Sequence, residues 1–357
     1  MKRLIVSFLA LCSPENRVAG HEKALSLSIP RSNETHLIWK VDNAPQVVTA
    51  RSLRSEGGLP LYQVQTLADA EAECLKFLQD NIMTFDLPFQ ETMGFPSGDG
   101  GDEADGLGNG LIGPTIELAL RAKIDYPWTD ELPKEIFMEY VLNYANLNEA
   151  RTNWRPLLVE ALKFNESDLW TSGSANLTSV VTWVNQHLWT KVGRGPDRPI
   201  IFKTSQTPLI FDPMSTIAYG YASCTGTSIL FANALRAVGI PARVAGTPAW
   251  YGDRYKGNHN WVEVFDTNLE SEDKWKFLEP SPANAGLDTL DKDPCERWFC
   301  QGSRYPSSRV YAARLLKDAA STPATFFPLA WEWKNQDVPG VDRTQYYTNI
   351  CESCGKK

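Results

Sequence analysis

The stretch that decides the fold is Tyr219-Gly220-Tyr221-Ala222-Ser223-Cys224-Thr225-Gly226-Thr227-Ser228. It runs directly into Ile229-Leu230-Phe231-Ala232-Asn233-Ala234-Leu235-Arg236-Ala237-Val238. The second half has the pattern of a helix with apolar residues facing a core, and it stops at Gly239 with Pro241 beyond, as helices do. Ser223 suits the N-cap, which places Cys224 in the first turn. There the unpaired N–H groups and the macrodipole favour an anion, so the thiol should ionise more readily than a free cysteine. A thiolate at a helix start, with its own N–H near a developing oxyanion, is the arrangement acyl transfer requires. By itself, the segment is equally well explained by a small residue buried where helix meets sheet.

The chain holds four histidines, so their positions carry information. Gly257-Asn258-His259-Asn260-Trp261-Val262-Glu263-Val264-Phe265 reads as a strand beginning at His259. Asp266 to Asp273 is polar and turn-like, and Lys274-Trp275-Lys276-Phe277-Leu278-Glu279-Pro280 reads as the returning strand. A hairpin folded about Leu269 sets Glu279 opposite His259, where side chains on one face meet. Asp266 is the rival acid, but it lies along the same strand, roughly 23 Å from His259 at the usual rise. Glu279 would then accept from the imidazole N–H and fix its tautomer while the other ring nitrogen serves Cys224. A charged hairpin end in water is the alternative account of Glu279. His187, inside the helical pattern Leu177 to Trp189, reads as a surface or core histidine rather than a ligand.

This ordered set resembles the transglutaminase-like superfamily of papain-type thiol enzymes. The resemblance rests on four elements: Ser223 to Ser228 at the nucleophile, Leu235-Arg236-Ala237-Val238-Gly239-Ile240-Pro241-Ala242-Arg243, Asn258-His259-Asn260-Trp261-Val262-Glu263-Val264, and Trp275 to Pro280. It covers about residues 175–280. Upstream, Ile136 to Leu142 and Asn153-Trp154-Arg155 are similar to the helical preface of a secreted subgroup. The resemblance implies an α+β fold with a central helix and an antiparallel sheet. It also implies a Cys-His-acid triad, carried onto Cys224, His259 and Glu279. The acid is usually Asp in the family, and here it is Glu279, one methylene longer. Cys224 would attack a carboxamide or peptide carbonyl of a protein or peptide substrate, with or without attached sugar, forming a thioester. An amine resolving that thioester gives transamidation; water gives deamidation, proteolysis or glycoamide hydrolysis. The family also contains non-catalytic members that keep the fold. No cofactor or metal is called for, and no calcium-site pattern is recognisable.

Composition sets outer bounds. Hydrophobic residues make up 43% and charged residues 22%, enough for a buried core. A net charge of −8 argues against a nucleic-acid partner, whose binding would draw on Lys and Arg. No apolar run reaches the roughly 18–20 residues of a membrane span. Lys2 and Arg3 precede an apolar run from Leu4 to Cys12, and Val18-Ala19-Gly20 suits a signal-peptidase cut before His21. Residues 1–20 are therefore expected to be a signal peptide and the protein secreted; a buried first strand is the alternative. Sequons at Asn33, Asn165 and Asn176 agree with export.

Of seven cysteines, six remain once Cys12 leaves with the signal. Cys295/Cys300 and Cys351/Cys354 form two close pairs, suited to disulfides within or across pairs. The zinc-ligand spacing of Cys351-x-x-Cys354 is the alternative. Cys74 reads as a buried small hydrophobe or an unpaired thiol.

Alternation over 34–50 suggests strands, and helical spacing recurs over 66–82, from Leu132 to Tyr144 and from Trp154 to Phe164. Phe95 to Pro114 is a glycine- and aspartate-rich surface loop without the acid pattern of an EF-hand. The expected organisation is a mostly helical region over 21–174, a catalytic domain over 175–335 and a cysteine-containing tail over 336–357. Arg297-Trp298-Phe299, shortly after the triad, either lines a cleft or packs in the core.

Overall fold

Every residue from Thr225 to Ala237 is buried, so the helix after Ser223 is enclosed on all sides rather than along one apolar face. The computed structural model describes residues 36–41, 61–96, 110–164, 176–300, 308–317 and 325–354. The signal-peptide stretch, the sequons at Asn33 and Asn165 and most of the acidic loop lie outside the described residues. Asn33–Lys357 forms one compact unit. Its first half contains β1 (His36–Val41), β2 (Leu61–Thr66), α1 (Leu67–Asp80), α2 (Gln90–Met93), α3 (Ile112–Asp125), α4 (Lys134–Tyr140), α5 (Arg155–Ala161) and α6 (Leu177–Lys191). Then come β3 (Ile201–Phe202), α7 (Pro213–Tyr219), β4 (Tyr221–Ala222), α8 (Cys224–Ala237), β5 (Ala242–Thr247), β6 (His259–Phe265), β7 (Trp275–Leu278), β8 (Tyr311–Ala313), β9 (Gly340–Asp342) and α9 (Thr344–Ser353).

The main sheet has the order β7-β6-β5-β8-β9, and every neighbouring pair in it is antiparallel. The fold is α+β, as expected. The central helix α8 packs on β5 and β6, and α3, α5, α6 and α7 also pack against it. Polar links join the preceding helical region to its end. Arg155 donates to the Arg236 carbonyl at 3.0 Å, Arg236 to the Ala145 carbonyl at 2.6 Å, and Trp128 Nε1 to the Val238 carbonyl at 2.8 Å.

Gly239 ends α8 with φ +78°, and the Ile240 N–H returns to the Leu235 carbonyl at 2.9 Å. A Cβ on Gly239 would sit 2.7 Å from Thr129 Cγ2, so both conformation and space require glycine there.

The phrase that follows α8 also has a structural role. Arg243 faces Glu263 across the β5–β6 ladder and donates to its Oε2 at 2.8 Å. Arg343 and the Tyr347 hydroxyl both reach Glu263 Oε1 at 2.9 Å. Burial would push the Glu263 carboxyl up, but the two guanidinium groups hold it below the usual carboxylate range. This pairing fastens α9 to β6. The disulfides cross between the two close pairs, Cys295–Cys354 and Cys300–Cys351, so these four thiols are not zinc ligands. They clamp α9 to the segment carrying Arg297, Trp298 and Phe299. Cys74 is buried and unpaired, with its sulfur 3.8 Å from that of Met138. Among the described residues, no helix is long and apolar enough to cross a membrane.

Candidate active site

Ser223 is the N-cap of α8 by position, but its hydroxyl turns away to the Thr207 hydroxyl at 2.7 Å instead of capping the helix. Cys224 is the first residue of the helix and is partly exposed, while the rest of the helix is buried. Gly226 lets the first turn settle against its neighbours, since a Cβ there would meet the Ala222 Cβ at 2.7 Å. His259 opens β6, beside the helix start, and its side chain makes a hydrogen bond to Cys224. Its Nε2 lies 2.9 Å from Glu279 Oε1, which leaves Nδ1 for the sulfur. Cys224, His259 and Glu279 are thus brought together as the sequence suggests.

The hairpin register differs from the expected one. Val262 faces Leu278 and Phe265 faces Trp275, so continuing the ladder puts Ser281, not Glu279, opposite His259. The turn centres one residue later than Leu269, because the Asp266 N–H donates to the Lys274 carbonyl and Trp275 N–H to Asp273 Oδ1. A slip of two residues keeps every side chain on its original face, whereas a slip of one would have inverted them. Glu279 therefore stays on the His259 side, as a diagonal neighbour. Asp266 sits at the far end of β6, accepting the Asn268 N–H and facing Lys276.

The electrostatics of the three groups are coupled. Burial pushes the Cys224 thiol up, but the His259 hydrogen bond and charge, with a hydrogen bond from the Asn260 backbone, bring it below the usual thiol range. Burial lowers the His259 imidazolium, and the Glu279 carboxylate and the hydrogen bonds to Cys224 and Glu279 overcome this and push it up to about 10. The wall around the imidazole is aromatic. Trp250 lies nearly parallel to it at 6.5 Å between centroids, and Trp298 presents an edge at 5.1 Å. Arg297-Trp298-Phe299 thus divides its roles: Phe299 is buried in the core, Arg297 is buried beside Asp288, and Trp298 is partly exposed at the site. A cleft of about 630 Å³ adjoins His259, lined by Trp250, Tyr251, Lys256, Gly257 and Asn258.

Several supporting residues escape a reading of the sequence. Asn260 accepts from the Thr225 hydroxyl at 2.8 Å, which locks the start of β6 to α8. Gly246 faces Asn260 in the ladder, and a Cβ on it would lie 2.3 Å from Asn260 Nδ2 and 2.4 Å from the His259 carbonyl. Asn185, Asp288 and Arg297 hold the backbone around Glu279. They come from a helix, a loop and a short turn, and no spacing links them. His187 is bonded within its own helix, with Nδ1 2.8 Å from the Trp183 carbonyl. Gln206 donates its side-chain amide to the Thr204 carbonyl.

A thiol at the start of a buried helix, an imidazole at the start of the neighbouring strand and a carboxylate past the end of the next form a connected Cys-His-acid set on an α+β frame. Residues 170–280 match the family model of the transglutaminase-like superfamily, and the chain carries a transglutaminase-like domain over that segment. A crystal structure of red sea bream transglutaminase is similar at 14% identity and a TM-score of 0.38, covering 65% of this chain and 49% of that one. The chain thus spans about half the length of that transglutaminase. No curated protein matches the chain.

Proposed function

We propose that the protein is a thiol-dependent acyl-transfer enzyme of transglutaminase type, acting on amide carbonyls of proteins or peptides. The observation that carries this reading is the bridging of His259 between Cys224 and Glu279. In the resting state the pair is a thiolate and an imidazolium, the latter held by Glu279. Cys224 Sγ attacks the carbonyl carbon, and the negative charge that forms on oxygen faces the unpaired N–H groups at the start of α8, including that of Cys224. His259 gives its proton to the leaving amine as the tetrahedral adduct collapses to a thioester. An incoming amine or water then gives its proton back to His259 and attacks the thioester, releasing the thiolate.

The second reading is a hydrolase on the same triad. The aromatic wall formed by Trp250, Tyr251 and Trp298 favours it, since such a wall suits a single peptide or sugar-bearing chain. Two disulfides support export, and Asn176 of the third sequon is exposed at the N-cap of α6. The test is incorporation of a biotinylated primary amine into a glutamine-rich protein, with ammonia release followed in parallel and Cys224→Ala as control. Incorporation that vanishes in Cys224→Ala is the expected result. Ammonia without incorporation moves the assignment to hydrolase, and neither signal would overturn both readings.

A further inference from the structure

The carboxylate of Glu279 has a single hold on the imidazole. Oε1 takes the His259 N–H, while Oε2 is buried with no hydrogen-bond partner among the described residues. Among the described residues no other side chain hydrogen-bonds it, and Glu279 lies beyond the last paired residue of β7, Leu278. Its placement must therefore come from its backbone. The Glu279 N–H donates to Asp288 Oδ2 at 2.9 Å, and the Glu279 carbonyl accepts from Asn185 Nδ2 at 3.0 Å. Asn185 also reaches the Ser281 hydroxyl and the Asp288 carbonyl at 3.0 Å each, and it accepts the Ser281 N–H at 2.9 Å. Asp288 Oδ2 is shared with the Arg297 guanidinium, which is further tied to the Thr289 carbonyl at 2.6 Å. Arg297 precedes Trp298, whose ring edge meets the imidazole.

We propose that Asp288, held by Arg297 and Asn185, is a positioning residue that fixes Glu279 against His259. The inference rests on reading Cys224, His259 and Glu279 as an activated triad. A backbone anchor suits this place because a single carboxylate–imidazole bond aligns only if the main chain beneath it is immobile. Asp288 is buried, and burial pushes its carboxyl up against the opposing pull of the Glu279 N–H and Arg297, so its position is held by those two bonds rather than by water. The charged groups around Asp288 are Arg297, Lys292 and Glu279, with Asp291 acting on Arg297, and around His259 they are Glu279 and Cys224. Of these groups only Glu279 and Cys224 hydrogen-bond the imidazole, and Asp288 reaches the Glu279 N–H, so Asp288 acts through Glu279.

The experiment is the rate of Cys224 alkylation by iodoacetamide against pH, read by peptide mass spectrometry on the full chain. It is run on the unaltered protein, Glu279→Gln, Asp288→Ala and Asp288→Asn, with thermal midpoints and near-ultraviolet circular dichroism recorded for each. It needs no substrate, and buried Cys74 serves as an internal unreactive thiol. Asp288→Ala should move the acid limb of the rate profile up by about one pH unit, a roughly tenfold loss of rate on that limb. Its profile should approach that of Glu279→Gln. Asp288→Asn keeps an acceptor for the Glu279 N–H at the same size, so it should stay folded and lie between Asp288→Ala and the unaltered protein. Folded variants with the unaltered profile would overturn the positioning role while leaving the triad intact. An unaltered protein whose Cys224 reacts only as an ordinary thiol would instead overturn the triad reading itself.

Discussion

His259 Nε2 lies 2.9 Å from Glu279 Oε1 although the β6–β7 register does not oppose these two residues. They are diagonal neighbours, a relation that separates backbones by about 7–8 Å rather than about 5 Å. Glu279, one methylene longer than an aspartate, has the reach to span this longer diagonal. Shortening it tests this account. Glu279→Asp should draw the carboxylate back by roughly 1 Å or more and lower turnover by about a hundredfold, the usual cost of that misplacement. Glu279→Gln keeps the reach but not the charge, and should lower turnover by roughly two to four orders of magnitude. Steady-state kinetics of both variants on one amide donor would check it. An Asp variant as active as the unaltered protein would sink the diagonal argument.

The charge of Glu279 also sets the alkaline behaviour of His259. Its imidazolium is raised to about 10, so the stabilisation it receives is complete below its unfolded value of about 6.5 and is lost as pH rises through about 10. In Glu279→Gln that support is gone, and the loss should move down toward about pH 6.5. Titration of the imidazole by NMR checks this directly; an unchanged midpoint would mean that Glu279 does not hold the proton.

How much of this was legible in the sequence depends on whether the information is local. Cys224 at a helix start and His259 at a strand start could be read because helical spacing and strand alternation are local signals, although the Ser223 hydroxyl does not cap the helix. The contact of Glu279 with His259 is legible although the observed register differs by two from the expected one, since the period of a strand forgives an even slip. Asn185, Asp288 and Arg297 could not be read: their link to Glu279 runs through backbone groups brought together only by the tertiary fold. The close approach of Gly246 to β6 is hidden for the same reason. The pairing of Cys295 with Cys354 and of Cys300 with Cys351 was likewise open, because four thiols on two short segments allow three connectivities.

Gly246 is a test of how tightly β5 and β6 approach at the site. A Cβ there would enter the space of Asn260 Nδ2 and the His259 carbonyl. Gly246→Ala should cost about 1–3 kcal/mol through overpacking, and it should displace the start of β6 from α8. Denaturant titration measures the first effect, and a slower Cys224 alkylation the second. A variant with unaltered stability would show that the strands have room to part.

The two disulfides span 59 and 51 residues and close nearly the same loop. Removing either alone should therefore cost little, because the other still restricts the unfolded chain. Removing both should cost about 4 kcal/mol, near the loop-entropy value for one such closure. Urea midpoints of Cys295→Ser/Cys354→Ser, Cys300→Ser/Cys351→Ser and the fourfold variant would show this non-additivity. Equal and additive losses would mean instead that each bridge contributes mainly through native contacts.

Glu263 should dominate the acid stability of the sheet. Its carboxyl is fully buried between Arg243 and Arg343, and removing its charge leaves both guanidinium groups without their buried partner. Glu263→Gln should cost about 3–5 kcal/mol at neutral pH. The folded carboxyl titrates below its unfolded value of about 4.3, so its contribution is complete above that pH and is lost as pH falls through the folded value. The thermal midpoint of the unaltered protein should therefore drop more steeply below about pH 4 than that of Glu263→Gln, and the two curves should converge in acid. Parallel acid slopes would show that Glu263 does not take up a proton on acid unfolding, and that the loss in Glu263→Gln comes from packing alone.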